Sequence, residues 1–276
     1  MAIAAGAPMR AEMAELKLRL KTMWTAGDYD VFSRYMELGT EQFVRRAGVM
    51  PGMRVLDVAC GAGQISLIAA RMGAEVTGCD IAANWVEQAR RRAAAEGLRA
   101  TFEEADVEML PYRDGEFDLV ATSFGAMFAP RPEMAAQEML RVCRPGGVVA
   151  MANWTAAGFI GQMFRTIAKY MAPRGMPSPL LWGEEAVVRE RMTGGASRVD
   201  CERRMFPFDY PFGPEEVVEF FRVNYGPMTR AFLALDGTGR EKLRGELVAL
   251  WSAYNRGKAG ETKVDAEYLE VVARRR

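Results

Sequence analysis

Apolar residues recur at helical spacing over residues 11–24 (AEMAELKLRLKTMW), and after the turn GDYD a second helix is predicted from about Asp30 to Gly48. Past Pro51 and Gly52 the pattern changes to short apolar runs that alternate with helical stretches. Val55 to Ala59 is a valine-rich run suited to a buried strand, followed by a helix from Gln64 to Met72 that Gly73 ends. Glu75 to Asp80 reads as a second strand and Asn84 to Glu96 as a helix with Gly97 at its C-terminal stop. Thr101 to Glu104 makes a third strand. Phe117 to Thr122 makes a fourth after the turn signal Arg113-Asp114-Gly115, with a helix behind it over Pro132 to Cys143. Pro145, Gly146 and Gly147 then turn the chain into a fifth strand, Val148 to Asn153.

Strand and helix alternating at spacings of about 20 to 25 residues imply right-handed βαβ crossovers and a parallel sheet covered on both faces. The predicted class is α/β. Beyond Trp154 the rhythm changes to helices over Ile160 to Tyr170, Glu184 to Met192 and Pro214 to Asn224, joined by Pro-rich and aromatic connectors. Two strand-like segments remain, Arg198 to Phe208 and Ala266 to Ala273, while the first ten residues are expected to be irregular.

Composition narrows the partners. With 36 Lys plus Arg against 36 Asp plus Glu, the chain has no global field to attract nucleic acid or an acidic membrane surface, so neither is expected as a partner. The four cysteines are scattered and histidine is absent, which leaves neither a zinc site nor a disulfide framework with the groups it needs. No apolar run approaches the ~20 residues of a membrane span, and the expected location is cytoplasmic. Lacking histidine, any general base must be Asp, Glu, Tyr, Lys, Cys or water.

The candidate chemistry begins at VLDVACGAG, residues 55–63. A buried strand that stops in a carboxylate and a glycine turn brings bare backbone against a ligand. In an open parallel sheet, ligands bind beyond the C-terminal strand ends at the point where the strand order reverses. There the sequence brings together Asp57 to Gly63, Asp80 with Ile81, Asp106 with Val107, and Ser123 with Phe124. Asp80, 17 residues after Gly63, can accept from both hydroxyls of a ribose, or cap the helix that follows. Asp106 can accept from an adenine amino group, or be a solvated loop carboxylate. A dinucleotide fingerprint wants a third glycine where Ser66 stands, and a pyrophosphate at the helix start would be repelled by Asp57. Asp57 suits a ligand with a free ammonium group, which favours S-adenosylmethionine over NAD.

At this point the chain resembles the class I S-adenosylmethionine-dependent methyltransferases, in particular the ubiquinone/menaquinone-type group. The matching pieces are VLDVACGAG, GCDIAANWVEQAR, EEADVEMLPYRDGEFDLV and RVCRPGGVVAMANW, in that order over residues 51–154. The resemblance implies a Rossmann-like, doubly wound, mostly parallel seven-stranded sheet with a helical N-terminal cap at 1–50 and a methyltransferase domain at 51–276. Within that domain it implies a cofactor-binding core at 51–154, an acceptor-binding lid region at 155–262 and a last strand at 264–276. Asp57, Ala59, Gly61 and Gly63 would border the methionine moiety, Asp80 would hold the ribose, and Ile81, Asp106 and Val107 would meet the adenine. Trp85 would contact the cofactor or pack on the sheet, and Ala59 replaces what is commonly the first glycine of the motif. The segment MWTAGDYDVFSRYM resembles the group's helical cap, with Trp24 and Tyr29 either shielding the methionine end or stapling the cap.

Methyl transfer from a sulfonium needs alignment and exclusion of water more than dedicated side-chain chemistry. The loop SFGAMFAP at 123–130 puts Phe128 where many quinone-type relatives have histidine, so a histidine mechanism does not transfer. Phe124, Met127, Phe128, Trp154, Trp182, Arg222 and Tyr225 are the candidate acceptor-pocket residues, with core packing as the alternative for the apolar ones; Phe159 adds aromatic surface. Two of Phe220, Phe221 and Phe232 are expected to serve only as the apolar face of lid helices. The expected activity is methyl transfer to a small molecule by direct displacement; a non-catalytic S-adenosylmethionine-binding protein and an NAD-dependent oxidoreductase are the rivals.

Overall fold

The computed structural model describes residues 6–170 and 175–276. Strands β1 (Arg54–Val58), β2 (Glu75–Asp80), β3 (Ala100–Glu104), β4 (Phe117–Ser123) and β5 (Cys143–Trp154) pair in parallel. Strand β7 (Thr262–Arg275) runs antiparallel to β5 and to β6 (Ala196–Tyr210), which completes a seven-stranded sheet in the order β3-β2-β1-β4-β5-β7-β6. The order reverses between β1 and β4. Right-handed crossovers therefore put α4 (Gln64–Arg71) and α5 (Ala83–Ala95) on one face and α6 (Pro132–Val142) on the other. The expected α/β class and seven-stranded sheet are what the chain forms.

The central strands are apolar because both their faces are covered: Val55, Leu56 and Val58 of β1 and Val120 of β4 are fully buried. At the N-terminus α1 (Gly6–Trp24) leads into α2 (Tyr29–Arg34) and α3 (Glu37–Arg46). Of the ten residues expected to be irregular, the first five lie outside the described residues and the next five belong to α1. The single helix predicted over Asp30 to Gly48 is two, because its halves bury against different partners. Phe32 of α2 packs on Phe221 and Tyr225, at 4.9 and 5.0 Å between ring centroids, whereas α3, with Phe43 and Val44 buried, packs on α4 and β6.

After β5 come α7 (Phe159–Ala168) and α8 (Glu185–Thr193), and between β6 and β7 lie α9 (Pro214–Asn224), α10 (Gly226–Leu233) and α11 (Gly237–Tyr254). The last two are absent from the sequence-based expectation. Gly237, Gly239 and Gly245 weaken the helical signal of α11 by about 1 kcal/mol each relative to alanine. Burial of Leu243, Leu247 and Trp251 on one face, each with no exposed surface, outweighs them. Both C-terminal strands also run longer than predicted, since β6 and β7 pair from Ala196 opposite Arg275 to Tyr210 opposite Thr262. No helix among the described residues is long and apolar enough to cross a membrane.

Candidate active site

The chain leaves β1 through a loop in which Ala59, Gly61 and Gly63 all take positive φ, at 55°, 52° and 86°. Glycine adopts that conformation without strain and alanine does not, so Ala59 carries a local cost. A side chain at Gly61 would stand 2.8 Å from the Tyr29 ring, so the bare backbone there lets α2 close on the loop. At the end of β2, Asp80 accepts from the Gly61 backbone N–H at 2.9 Å and the Ala82 N–H at 2.8 Å. The capping alternative does not hold, because Ala82 is the N-cap of α5 and no side chain caps that helix; the Asp80 carboxylate lines the pocket with acceptor capacity to spare. Burial pushes that carboxyl above its ordinary range.

Asp57 lies deeper, 1% exposed, and one of its oxygens accepts from both the Ser66 backbone N–H at 2.9 Å and the Ser66 hydroxyl at 2.7 Å. Burial pushes it up to about 7, although the Ser66 bonds pull the other way. Asp57 lines a small side cavity rather than the main pocket. Gly63 lines neither; a Cβ there would meet Ala89 at 3.2 Å and Phe102 at 3.4 Å, so its role is close packing of α4 on α5.

The main pocket lies over the ends of β1, β2, β3 and β4, and has an open volume of about 1130 Å³ including its mouth. Ile81, Trp85, Asp106, Val107 and Ser123 all line it, as the sequence predicts. So does a cation that the sequence analysis missed: Lys17 of α1 pairs with Asp106 and, at 2.5 Å, with the buried Glu108. Glu108 is held in turn by the backbone N–H and Nε of Arg131, at 2.6 and 2.7 Å. A signal for this face was present, because Lys17, Leu20 and Trp24 fall at i, i+3 and i+7 and all three line the pocket. The cap is fastened where the Trp85 indole N–H donates to the Trp24 carbonyl oxygen at 2.6 Å, so Trp85 serves both pocket and packing.

The far end of the pocket is aromatic. Phe124, in the left-handed region at φ 61°, lays its ring on Trp154 with centroids 3.6 Å apart and planes within 2°. Phe128, Phe208, Phe221 and Tyr225 continue the wall, and Trp24 meets Phe128 edge-on at 4.8 Å. Of the other candidates, Met127 is buried core, and Trp182 lies buried under the Arg191 guanidinium at 4.6 Å. Arg222 pairs with Glu219 at 2.7 Å; none of these three lines the pocket. Phe159 packs into the core against Trp251 at 4.5 Å. Of Phe220, Phe221 and Phe232, only Phe221 reaches the pocket.

Comparison with known proteins agrees with this geometry. Residues 55–147 match the methyltransferase domain family. An uncharacterized protein of Mycobacterium tuberculosis is 36% identical over 262 residues, covering 93% of this chain and 94% of that one. The demethylmenaquinone methyltransferase of Deinococcus radiodurans is 34% identical over 155 residues, 53% of this chain and 64% of the relative. Among solved structures, the YcgJ protein of Bacillus subtilis superposes with a TM-score of 0.59 at 16% identity, covering 86% of this chain and 98% of its own, which is a likeness of fold.

Proposed function

Because the chain belongs to the class I S-adenosylmethionine-dependent methyltransferases, we propose that it moves a methyl group onto a small, largely apolar organic acceptor by direct in-line displacement. The observation that carries this reading is the division of one pocket into two ends. Its charged lining residues, Lys17, Asp80 and Asp106, all gather beyond β2 and β3, whereas the end beyond β4 and β5 is, apart from the Ser123 hydroxyl, aromatic and aliphatic among the described residues.

The residues present fit the cofactor. Gly61 offers backbone without a side chain, Asp80 retains lone pairs toward the pocket, and the Ser123 hydroxyl is buried without a hydrogen-bond partner. In this reading Asp80 holds the ribose hydroxyls, Asp106 accepts from the adenine amino group, and Ile81, Trp85 and Val107 press on the nucleoside. Ala59, Gly61 and Ser123 border the methionine end. When bound, the cofactor supplies a methyl on a sulfonium that departs as a neutral thioether.

The chain's own task is alignment and dryness. Phe124, Phe128, Trp154 and Tyr225 would orient a flat or apolar acceptor and exclude water from the transfer. Calorimetry with S-adenosylhomocysteine, alongside a turnover screen over small organic acceptors, tests both halves. Asp80→Ala should weaken binding at least tenfold, by the ~1.5–3 kcal/mol of a hydrogen bond to a charged group. Unchanged affinity would remove Asp80 from the site, and binding without turnover on any acceptor would favour a non-catalytic cofactor-binding role.

A further inference from the structure

Four rings in the acceptor end of the pocket form a folded wall rather than a stack: Trp24, Phe128, Phe164 and Tyr225. Tyr225 is inclined at 71° to Trp24, Trp24 at 65° to Phe128 and Phe128 at 57° to Phe164, with neighbouring centroids 5.9, 4.8 and 6.0 Å apart. They come from separate parts of the chain, namely the end of α1, the loop after β4, α7 and the turn between α9 and α10. No Lys, Arg, Asp or Glu joins them among the described residues, since the charged wall residues Lys17, Asp80 and Asp106 gather at the opposite end.

A π face carries partial negative charge, so it attracts a cation and gives nothing to an anion. An acceptor that reacted as a phenolate or carboxylate would be desolvated here with only the sulfonium to pair with. An acceptor that reacts through a neutral nitrogen becomes a cation instead, and faces set at angles to one another can share that charge. We propose that the methyl acceptor is a neutral amine, and that Trp24, Phe128, Phe164 and Tyr225 hold the ammonium it becomes. This names the substrate class of the proposed methyl transfer and rests on that reading. The nitrogen lone pair forms the new C–N bond while the C–S bond breaks and its electron pair stays on sulfur. The positive charge thereby passes from sulfur to nitrogen. A tertiary amine releases no proton in this step, which suits an acceptor end without carboxylate or histidine, and a secondary amine gives up its proton to water afterwards. A strongly basic alkylamine arrives protonated at neutral pH with its lone pair blocked, so a weakly basic aryl amine fits best.

The test titrates the full chain, saturated with S-adenosylhomocysteine, with meta-hydroxyphenyltrimethylammonium and with meta-tert-butylphenol, which have the same shape and differ in charge. The cation should bind about tenfold more tightly, and in Phe128→Leu and Trp24→Leu that preference should fall to about threefold or less. Binding of S-adenosylhomocysteine, measured first, shows that each variant is folded. With S-adenosylmethionine, meta-dimethylaminophenol offers a tertiary amine and a phenol in one molecule, and the quaternary ammonium should be the main product. Equal or tighter binding of the neutral phenol overturns the amine proposal, as does methylation on oxygen, and both leave methyl transfer standing. Failure of the wild type to bind S-adenosylhomocysteine overturns the methyltransferase reading beneath it instead.

Discussion

Ala59 occupies the space that a side chain at residue 125 would need: a Cβ on Gly125 would stand 2.5 Å from the Ala59 methyl and 2.8 Å from the Ala59 carbonyl oxygen. One methyl group therefore separates the loop that carries Gly61 from the loop that carries Phe124. The departure from glycine at residue 59 is accommodated by a glycine across the gap.

The pair should respond asymmetrically to substitution. Gly125 has φ −87°, an ordinary backbone, so Gly125→Ala is penalised only by the clash and should lose about 1–3 kcal/mol of stability. Ala59→Gly relieves a left-handed alanine worth about 1–2 kcal/mol but loosens the unfolded chain by about 0.4–1 kcal/mol, so it should stay within ~1 kcal/mol of wild type. The double variant should regain part of the Gly125→Ala loss, limited by the remaining carbonyl contact. Urea unfolding midpoints of the three variants measure this, and strict additivity would contradict it.

Closure of α1 over the charged end of the pocket should be electrostatic and salt-sensitive. Lys17 bridges Asp106 and Glu108, and Lys21 pairs with Glu104, all from one helix onto the ends of β3 and the loop after it. The partly exposed Lys17–Asp106 and Lys21–Glu104 pairs contribute about 0.2–1 kcal/mol and are screened by added salt. Lys17→Met should speed dissociation of S-adenosylhomocysteine by roughly twofold to fivefold in stopped flow and reduce its salt dependence. Trp85→Phe, which deletes the bond to the Trp24 carbonyl, should speed dissociation without changing the salt dependence. Equal salt slopes in wild type and Lys17→Met would refute the latch.

The sheet and the strand ends that line the pocket were readable from sequence because their signals are local. The Val-rich run and the glycine turn lie within a few residues of one another, Asp80 and Asp106 each sit at or just past the end of their own strand, and parallel strand order then brings them together. Lys17 was overlooked because its partner lies 89 positions away, and its helical spacing with Leu20 and Trp24 marks a face of α1 without saying what that face meets. Trp182 and Arg222 misled for the converse reason. An aromatic ring and an arginine look alike in sequence whether they face a pocket, a buried guanidinium or a neighbouring glutamate, and only packing decides.

With Asp57 beside the ammonium group of the proposed cofactor, the free protein and its complex should respond oppositely to pH. Its folded pKa, raised to about 7 by burial, lies above the ordinary 3.8. The native chain therefore holds a proton that the unfolded chain has lost between those values. The resulting stability is fully present below pH ~4 and is lost as pH rises through ~7. An ammonium ligand binds the ionised form, so affinity for S-adenosylhomocysteine should rise across the same interval. The thermal shift given by the ligand should be larger at pH ~8 than at pH ~6, and Asp57→Asn should flatten the difference. A ligand-induced shift that does not change with pH in the wild type would separate Asp57 from the cofactor.

The aromatic end of the pocket makes a claim about where the acceptor's proton goes. The phenol hydroxyls in the pocket wall belong to Tyr29 and Tyr225, and burial pushes both above the ordinary tyrosine range, so they stay protonated through neutral pH. The carboxylates in the pocket wall, Asp80 at the end of β2 and Asp106 after β3, lie at the opposite end, where the proposed reading gives them to the cofactor. No described residue of the wall is then free to act as a base, and the acceptor must present its attacking atom already unprotonated. Tyr225→Phe should change kcat less than about threefold, far below the 10²–10⁴ that a lost general base costs. For two acceptors of different pKa, the rise of kcat/KM with pH should move with the acceptor. A break fixed at one pH for both, abolished in Tyr225→Phe or Tyr29→Phe, would instead identify that tyrosine as the base.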